Sequence, residues 1–594
     1  MKDDPKDSKH GETQAMPTTP ETPTQKTPQD RIHMHENARP WIKSYPNGVD
    51  WNADLPLGPV HGLLEQTAEK YGDRPGFDFM GRKYSWAQID QFSRKIAKGL
   101  QQHGIKKGSH VGLLLPNCPY FIFSYYALMR IGAVVVHFNP LYAKRELAQL
   151  IEESQTDHII TVDLKVTLDK AVPLLEESRL QSIILCNFAQ ALPTATGLLF
   201  RIFRRGEIAK TPKKDSRICS WDGLLQNDGL YTPVDIDPLN DLALLQFTGG
   251  TTGLPKAAML THANLTANTE QARLWFLTAR EGEEKIAGVL PFFHVFAMTA
   301  ILNLGTRMAM EIYALPRFDL RQTLKMIEKN RITFFPAVPA IYTAINAFKK
   351  RSRYDLTSIK VCVSGGAALP VEVKKSFEAN TGCVLVEGYG LTESSPVACV
   401  NPLEGENKPG SIGLPLPQTE IALIDIEDKT TRVARGERGE LCIKGPQVMK
   451  GYFNRPEESA GALKDGYLHT GDVAIMDDEG YVFIVDRIKD LIITNGYNVY
   501  PRNVEEAIYL HPAVEECIVA GIPDEARGEV VKAWIKLKDN RNLSGNDLKA
   551  FLQDKLSPLE MPRAIEFRNK PLPKTMIGKL SRKDILAEEK AISG

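Results

Sequence analysis

The sequence predicts an α/β protein. It would have a large N-terminal domain of parallel and mixed sheets with helices plus a β-rich subdomain, then a small, mobile α+β C-terminal domain. Three observations carry this expectation. From Trp86 onward, helical patterns such as WAQIDQFSRKIAKGLQQHG alternate with short apolar runs such as HVGLLLP, AVVVHFNP and HIITVD, the rhythm of parallel strands joined by crossover helices. After Leu414 the texture changes to short strands and turns, as in TEIALIDI and DGYLHTGDVAIMDDEGYVFIVDR. Beyond Arg487 a fresh pattern (VEEAIYLHP, EECIVAGIPD, EVVKAWIKL, LKAFLQDKL) fills about a hundred residues, enough for a small domain. The expected boundaries are a tail over 1–38, the main domain over 39–486 with its β-rich part over 414–486, and the small domain over 487–594.

The first 30 or so residues are charged, rich in Pro and Thr and nearly devoid of large apolar groups, which predicts a disordered tail and not a secretory signal. The most apolar stretch, VGLLLPNCPYFIFSYYALMRIGAVVVHF from Val111, is broken by Pro116, Asn117, Pro119 and Arg130. It reads as strand, turn, helix, strand, not as a membrane span. Lys plus Arg (73) balance Asp plus Glu (73), so no global field argues for a nucleic-acid partner, and a charged ligand must be held locally. The eight cysteines form no CxxC pair and read as core thiols of a reducing, cytoplasmic compartment. One segment, ATGLLFRIFRRGEIAK from Ala195, mixes large apolar residues with Arg201, Arg204, Arg205 and Lys210. It can be an interfacial helix on an anionic bilayer, such as the inner face of the cell membrane, or an ordinary surface helix packed on the core. Sequence leaves both open, as it does a homodimer.

The chemistry begins at TGGTTGLPKAAMLTH from Thr248, which follows the apolar run LALLQF. A strand is expected to run into TGGTTG and a helix to resume near Thr261. A glycine-rich turn at a strand end lets backbone N–H groups converge on an anion, and threonine hydroxyls and Lys256 add donors and charge. The Walker pattern fails, because Pro255 precedes Lys256 and no Ser or Thr follows it. A polyphosphate site of another kind, or a plain surface turn, remains.

Four further stretches follow in order: VEGYGLTESSP from Val386, YLHTGD from Tyr467, VDRIKDLIITNGYNVYP from Val485 and LPKTMIGKLSRK from Leu572. With the first, they resemble the core motifs of the adenylate-forming superfamily: acyl-CoA ligases, fatty acyl-AMP ligases, luciferases and peptide-synthetase adenylation domains. The resemblance covers roughly residues 40 to 590. It implies that Thr248, Gly249, Gly250, Thr251, Thr252, Gly253 and Lys256 cradle the β- and γ-phosphates of ATP. Glu387, Gly388, Tyr389 and Gly390 would flank the nucleotide, Tyr389 against adenine. Thr392 would bind the α-phosphate and Glu393 would ligate Mg2+, with Thr248 as a second metal ligand. Gly365, Gly366 and Ala367 of SGGAAL would pass close to the purine. Asp472 would take the ribose hydroxyls, and Arg487 the ribose or phosphate.

By the same resemblance Lys579, in PKTMIGK, is the catalytic lysine that bridges substrate carboxylate and α-phosphate; Lys574 and Lys583 are the bland alternatives. Lys489 would be the hinge about which the small domain turns, bringing Gly496 and Tyr497 against the path of CoA. His294 in LPFFHVFAMT would orient the carboxylate or close the acyl tunnel. ARPWIKSYPNGVDW and the Ala195 segment are similar to the bacterial long-chain fatty acyl-CoA ligase branch. The implied reaction joins a fatty acid to CoA with ATP and Mg2+, through acyl-AMP. Medium-chain or aryl acyl-CoA ligase, fatty acyl-AMP ligase and a silent nucleotide- or lipid-binding protein of the same fold are the alternatives. An apolar tunnel is expected from PFFHVFAMTAILNLG, FFPAVPAIY and GYGLTESSPVA, with Gly305 and Ala309 near its end.

Overall fold

The computed structural model describes residues 39–212, 215–248, 255–524, 527–575 and 580–593. The expected tail, the glycine loop 249–254 and the segment 576–579 lie outside the described residues.

Helix starts follow local chemistry. Ser85 caps the helix Trp86–Gln102 and exchanges hydrogen bonds with Gln88, and Thr261 does the same with Asn264 to open His262–Trp275. Such reciprocal caps satisfy two of the donors that a helix leaves unpaired. The stretch from Val111 folds as expected into the strand His110–Leu114, the helix Pro119–Arg130 and the strand Val134–His137. Every residue of that helix is buried, which explains why its sequence is apolar on all sides. Among the described residues no helix is long and apolar enough to cross a membrane.

Two large mixed sheets carry the main body. One has eight strands, in the order Gly451–Tyr452, Ala257–Thr261, Leu242–Phe247, Val134–His137, His110–Leu114, His158–Val162, Ser182–Cys186 and Ile218–Ser220. The other has nine; its parallel centre runs Val384–Gly390, Val361–Ser364, Phe334–Ala337, Lys285–Gly288, Glu311–Ala314 and Pro75–Phe79. Pro75–Phe79 enters from far back in the chain to pair with Glu311–Ala314, a partnership that no local pattern announces.

The glycine-rich stretch corrects the expected strand, loop and helix. A second strand intervenes: Leu242–Phe247 and Ala257–Thr261 form an antiparallel hairpin in which Phe247 faces Ala257 and Thr248 N–H donates to the Lys256 carbonyl at 2.8 Å. The helix then starts at His262. AAMLT is almost wholly buried between the two neighbouring strands Leu242–Phe247 and Gly451–Tyr452, so it completes the sheet before the chain can turn into a helix.

A five-stranded antiparallel sheet over Glu420–Ile424, Gly439–Lys444, Leu463–Lys464, Tyr467–Met476 and Val482–Arg487 forms the β-rich part. The last sheet, Ile492–Thr494, Tyr497–Val499, Val514–Asp524, Gly528–Leu537 and Ala564–Arg568, has its own two cores. The helices Pro501–Tyr509 and Gly545–Leu552 cover one face, and Trp534, Leu572 and Ile585 fill the other. All eight cysteines are free and seven are buried, as core thiols should be.

Two buried polar residues hold the main body together. Arg130 is fully buried and pairs with Glu65 and Asp90, with Ser93 Oγ at 3.0 Å, so three helices share one guanidinium. A charge inside a protein is tolerated only when paired in this way. Asn117, just after His110–Leu114, spans the gap between the sheets: its Nδ2 donates to Leu290 O at 2.8 Å and its Oδ1 accepts from Phe292 N at 2.7 Å. The amide thus fixes the segment that leads to His294. Asn117→Ala would leave the Phe292 N–H and Leu290 C=O buried without this partner, and is expected to lower stability by about 2 kcal/mol in urea unfolding.

Candidate active site

The C-terminal ends of both sets of parallel strands open on one cavity of about 2230 Å3, the usual place for a ligand in open α/β sheets. Its polar wall is built by GYGLTESSP. The strand Val384–Gly390 turns back as Val397–Val400, with Gly390 opposite Val397. A Cβ on Gly390 would lie 1.8 Å from the Pro396 carbonyl oxygen, so only glycine permits this reversal. The turn leaves Thr392 and Glu393 half-buried on the cavity wall.

Glu393 is fixed by Tyr452, whose hydroxyl donates to Oε1 at 2.7 Å. The Lys256 ammonium lies 4.9 Å from the centre of the same Tyr452 ring, so the end of the hairpin and Glu393 meet through one tyrosine. Thr248 lines the cavity as well. Sequence reasoning missed Tyr452, and GYF carries no signal that would single it out.

The second polar cluster centres on Asp472, which is buried. It receives the Tyr389 hydroxyl on Oδ2 at 2.5 Å and Arg487 Nε on Oδ1 at 2.8 Å. Asp472 and Arg487 are register partners in the β-rich sheet, so adjacent strands deliver the pair. Burial and the Asp472 charge push the Tyr389 phenol well above its ordinary range, and the Asp472 carboxylate raises Arg487 further. The tyrosine therefore stays a neutral donor and the arginine a fixed cation. Burial, then Arg487, lower the Lys489 ammonium. The turn before Asp472 is held by Glu440, which accepts from Gly471 N at 2.9 Å and meets His469 Nδ1 at 2.8 Å.

Gly365, Gly366 and Ala367 line the cavity beside Glu387 and Gly388. A Cβ on Gly365 would lie 3.2 Å from the Phe296 ring, which would have to shift, and Gly366 has φ +81°, the left-handed backbone that favours glycine. His294 lines the cavity and caps a short helix by accepting from Phe296 N at 3.3 Å through Nδ1; burial lowers its pKa to about 4. The neutral ring then carries its proton on Nε2. The apolar part of the cavity runs along Phe276, Ala300, Leu304, Phe334 and Val338. Gly305 and Ala309 are not in its lining.

Thr248, Gly365, Gly366, Ala367, Glu387, Gly388, Tyr389, Gly390, Thr392, Glu393, Asp472, Arg487, Lys489 and His294 thus come together. Gly496 and Tyr497 do not. They sit on the tip of the hairpin Ile492–Val499, exposed and outside this lining. Gly249, Gly250, Thr251, Thr252, Gly253 and Lys579 lie outside the described residues, although Thr575 and Leu580, on either side of the segment carrying Lys579, line the cavity. Lys574, the bland alternative, is paired with Glu516 at 2.5 Å.

Residues 64–453 match the AMP-binding enzyme family, and residues 503–579 match the AMP-binding enzyme C-terminal domain. The chain belongs to this family. It is 43% identical to a long-chain-fatty-acid–CoA ligase of Bacillus subtilis, over 93% of this chain and 99% of that protein. A long-chain-fatty-acid–CoA ligase of Escherichia coli O157:H7 is 36% identical over 92% and 98%. Among solved structures, ATP-bound MatB from Rhodopseudomonas palustris superposes with TM-score 0.78 at 25% identity, covering 90% of this chain and all of that one.

Glu387 gives a pH test of the buried wall. Burial lifts its carboxyl from the ordinary 4.5 to about 7, against the lowering effect of the Leu369 N–H and of Arg502. The folded state therefore keeps a proton that the unfolded chain has lost, and stability through this group falls as pH rises from about 4.5 to 7. Glu387→Gln is expected to remove that fall. Urea unfolding at pH 5 and pH 7.5 should show the variant gaining on the parent by up to about 3 kcal/mol at the higher pH.

Proposed function

We propose that this chain activates a long-chain fatty acid with ATP and Mg2+ to acyl-AMP and transfers the acyl group to CoA, releasing pyrophosphate and AMP. One observation carries the reading: a single cavity joins the Asp472, Arg487 and Glu393 wall to an apolar branch lined by Phe276, Leu304 and Phe334. That combination suits a nucleotide at one end and an alkyl chain at the other. The names of the relatives in Bacillus subtilis and Escherichia coli support it.

In the first step a carboxylate oxygen attacks the α-phosphorus, the bond to the bridging oxygen breaks, and pyrophosphate leaves with the electron pair. Negative charge builds at the α-phosphate, so fixed donors and cations stabilise it. Thr392 and Arg487, both in the cavity lining, would serve this, and His294 would offer its Nε2–H to the carboxylate. A carboxylate has capacity for about four hydrogen bonds, so Asp472 can still accept ribose hydroxyls beside Tyr389 and Arg487. The glycine loop and Lys256 would hold the departing pyrophosphate. Glu393 and Thr248 offer oxygen donors on one wall, the chemistry Mg2+ prefers. Bound there, Mg2+ would neutralise phosphate charge.

Lys579 would bridge carboxylate and α-phosphate, a placement supported by the cavity-lining Thr575 and Leu580 on either side of its segment. The division into domains after residue 486 and a turn about Lys489 belong to the same reading. The exposed Gly496 and Tyr497 would then come to the CoA path in a second arrangement.

We further propose that the helix Thr194–Phe203 rests on an anionic bilayer. Gly197 and Phe200 seat it on the protein, while Leu198, Leu199, Ile202 and Phe203 stay exposed, Phe203 by 77%. Arg201, Arg204 and Arg205 flank this apolar face, the composition of an interfacial helix.

Purified protein with ATP, Mg2+, CoA and acids from acetate to oleate, followed by mass spectrometry, should form thioester with a maximum at long chains. A maximum at short or aromatic acids would replace the substrate class, acyl-AMP without thioester would make it an acyl-AMP ligase, and no ATP consumption would leave a silent binding protein. Lys579→Ala should lower acyl-AMP formation at least about 100-fold with ATP binding retained. On phosphatidylglycerol vesicles the parent should co-float, and Ile202→Glu with Phe203→Glu should not. Flotation unchanged by the two substitutions would remove the bilayer from the reading.

A further inference from the structure

Among the described residues, one trio of metal-ligating side chains brings its donor atoms within 4.8 Å of one another: Glu440, Cys442 and His469 of the β-rich sheet. The sheet itself assembles them. Cys442 and His469 are register partners on the antiparallel strands Gly439–Lys444 and Tyr467–Met476, so their side chains share one face, and Glu440, two residues before Cys442, points to the same side. Glu440 pairs with Val473 while Cys442 pairs with His469, so the second strand bulges between those positions. The bulge turns through Gly471 at φ +71° and carries Asp472. Glu440 and Cys442 are buried, 12% of the His469 side chain is exposed, and Ala422, Ile424 and Tyr467 pack an apolar shell round the thiol.

Hydrogen bonding alone does not satisfy this trio. His469 Nδ1 faces Glu440 Oε2 at 2.8 Å and Cys442 Sγ at 3.4 Å, so one ring nitrogen meets two groups that ask opposite things of it. Protonated, it donates to the carboxylate and leaves the thiol hydrogen without this acceptor; unprotonated, it takes the S–H and sets its lone pair against the carboxylate. A cation between them would accept all three lone pairs at once. Glu440 is held ready for it, because its other oxygen, Oε1, accepts from Gly471 N at 2.9 Å. A tetrahedral zinc with bonds of about 2.0–2.3 Å separates its ligand atoms by roughly 3.3–3.7 Å. Cys442 and His469 already have that spacing, and the Nδ1–Oε2 distance reaches it by opening about 0.5 Å.

We infer that Glu440 Oε2, Cys442 Sγ and His469 Nδ1 form a binding site for one Zn2+, with the fourth position open to water. One sulfur, one nitrogen and one oxygen suit zinc, whereas Mg2+ takes an oxygen shell, so the site is distinct from the wall of Glu393 and Thr248. On binding, three bonds form from ligand lone pairs, the Cys442 S–H bond breaks with its electron pair left on sulfur, and one proton passes to solvent per ion. His469 stays neutral with its ring proton on Nε2, and nothing is oxidised or reduced. The ion lies beside the turn that presents Asp472 to the cavity.

The test uses the full chain, stripped with a chelator and free of nucleotide, titrated with Zn2+ against a chromophoric chelator and separately with Co2+. The parent should take up one Zn2+ per chain, and Co2+ should give the near-ultraviolet charge-transfer band that a thiolate ligand produces. Cys442→Ser should abolish the band, and Cys442→Ser and His469→Gln should each weaken Zn2+ binding at least about 100-fold, no less than the loss of an outer-shell partner costs. Cys219→Ser is the control, because Cys219 Sγ and His103 Nε2 lie 3.5 Å apart as another thiol–imidazole pair; it should keep both band and affinity. A band that survives Cys442→Ser and is lost in Cys219→Ser would overturn the inference in favour of that pair, and unchanged affinity in Cys442→Ser or His469→Gln would overturn it as well. Uptake without a sulfur band would place the ion on oxygen ligands such as Glu393. No uptake by the parent, a result that needs no substitution, would leave the trio a hydrogen-bonded network only.

Discussion

The structure turns on one buried carboxylate. Asp472 is contributed by the β-rich sheet, Tyr389 by the nine-stranded sheet, and Arg487 by the strand that leads into the last sheet. A buried carboxylate without partners would be strongly destabilising, whereas one shared by a phenol and a guanidinium is satisfied and fixes three parts of the chain relative to one another. Arg487 lies one residue beyond Asp486, whose two oxygens accept the backbone N–H groups of Arg487 and Arg502 at 2.8 and 2.7 Å. Arg582 reaches back to Asp490 at 3.2 Å and Glu505 at 2.8 Å. The connection between large and small domains is thus a chain of charges that also forms part of the cavity wall.

The cavity owes its polarity gradient to strand order. Parallel strands from two sheets end at the same place, so turns and polar groups gather there while the helices behind supply apolar surface. Asn117 makes the two ends meet by holding the segment before His294, and the close reversal at Gly390 sets Thr392 and Glu393 on the facing wall. That geometry supports the proposal of a nucleotide at one end and an acyl chain at the other.

Much of the site was legible beforehand through the resemblance of its motifs to the adenylate-forming superfamily, which named the residues without giving their contacts. GYGLTESSP needs Gly390 because a carbonyl passes where a Cβ would be, and HTGD puts Asp472 opposite Arg487 of VDR by strand register. The hairpin at Ala257–Thr261 was not legible, since a five-residue apolar run before a helix cap does not say whether it pairs with a neighbour. Tyr452 was invisible for a related reason: it acts through a partner far along the chain, and a lone tyrosine in such a run is ordinarily a core residue.

By itself the sequence determined the alternation of strand and helix, the helix start near Thr261, the glycine positions and the motif order, all of them properties of neighbouring residues. Only the tertiary structure decided that Pro75–Phe79 joins the larger sheet and that the apolar face of the helix Thr194–Phe203 stays uncovered. These are settled by burial and by pairing between distant segments, where free energy depends on which surfaces meet and no local pattern records the choice.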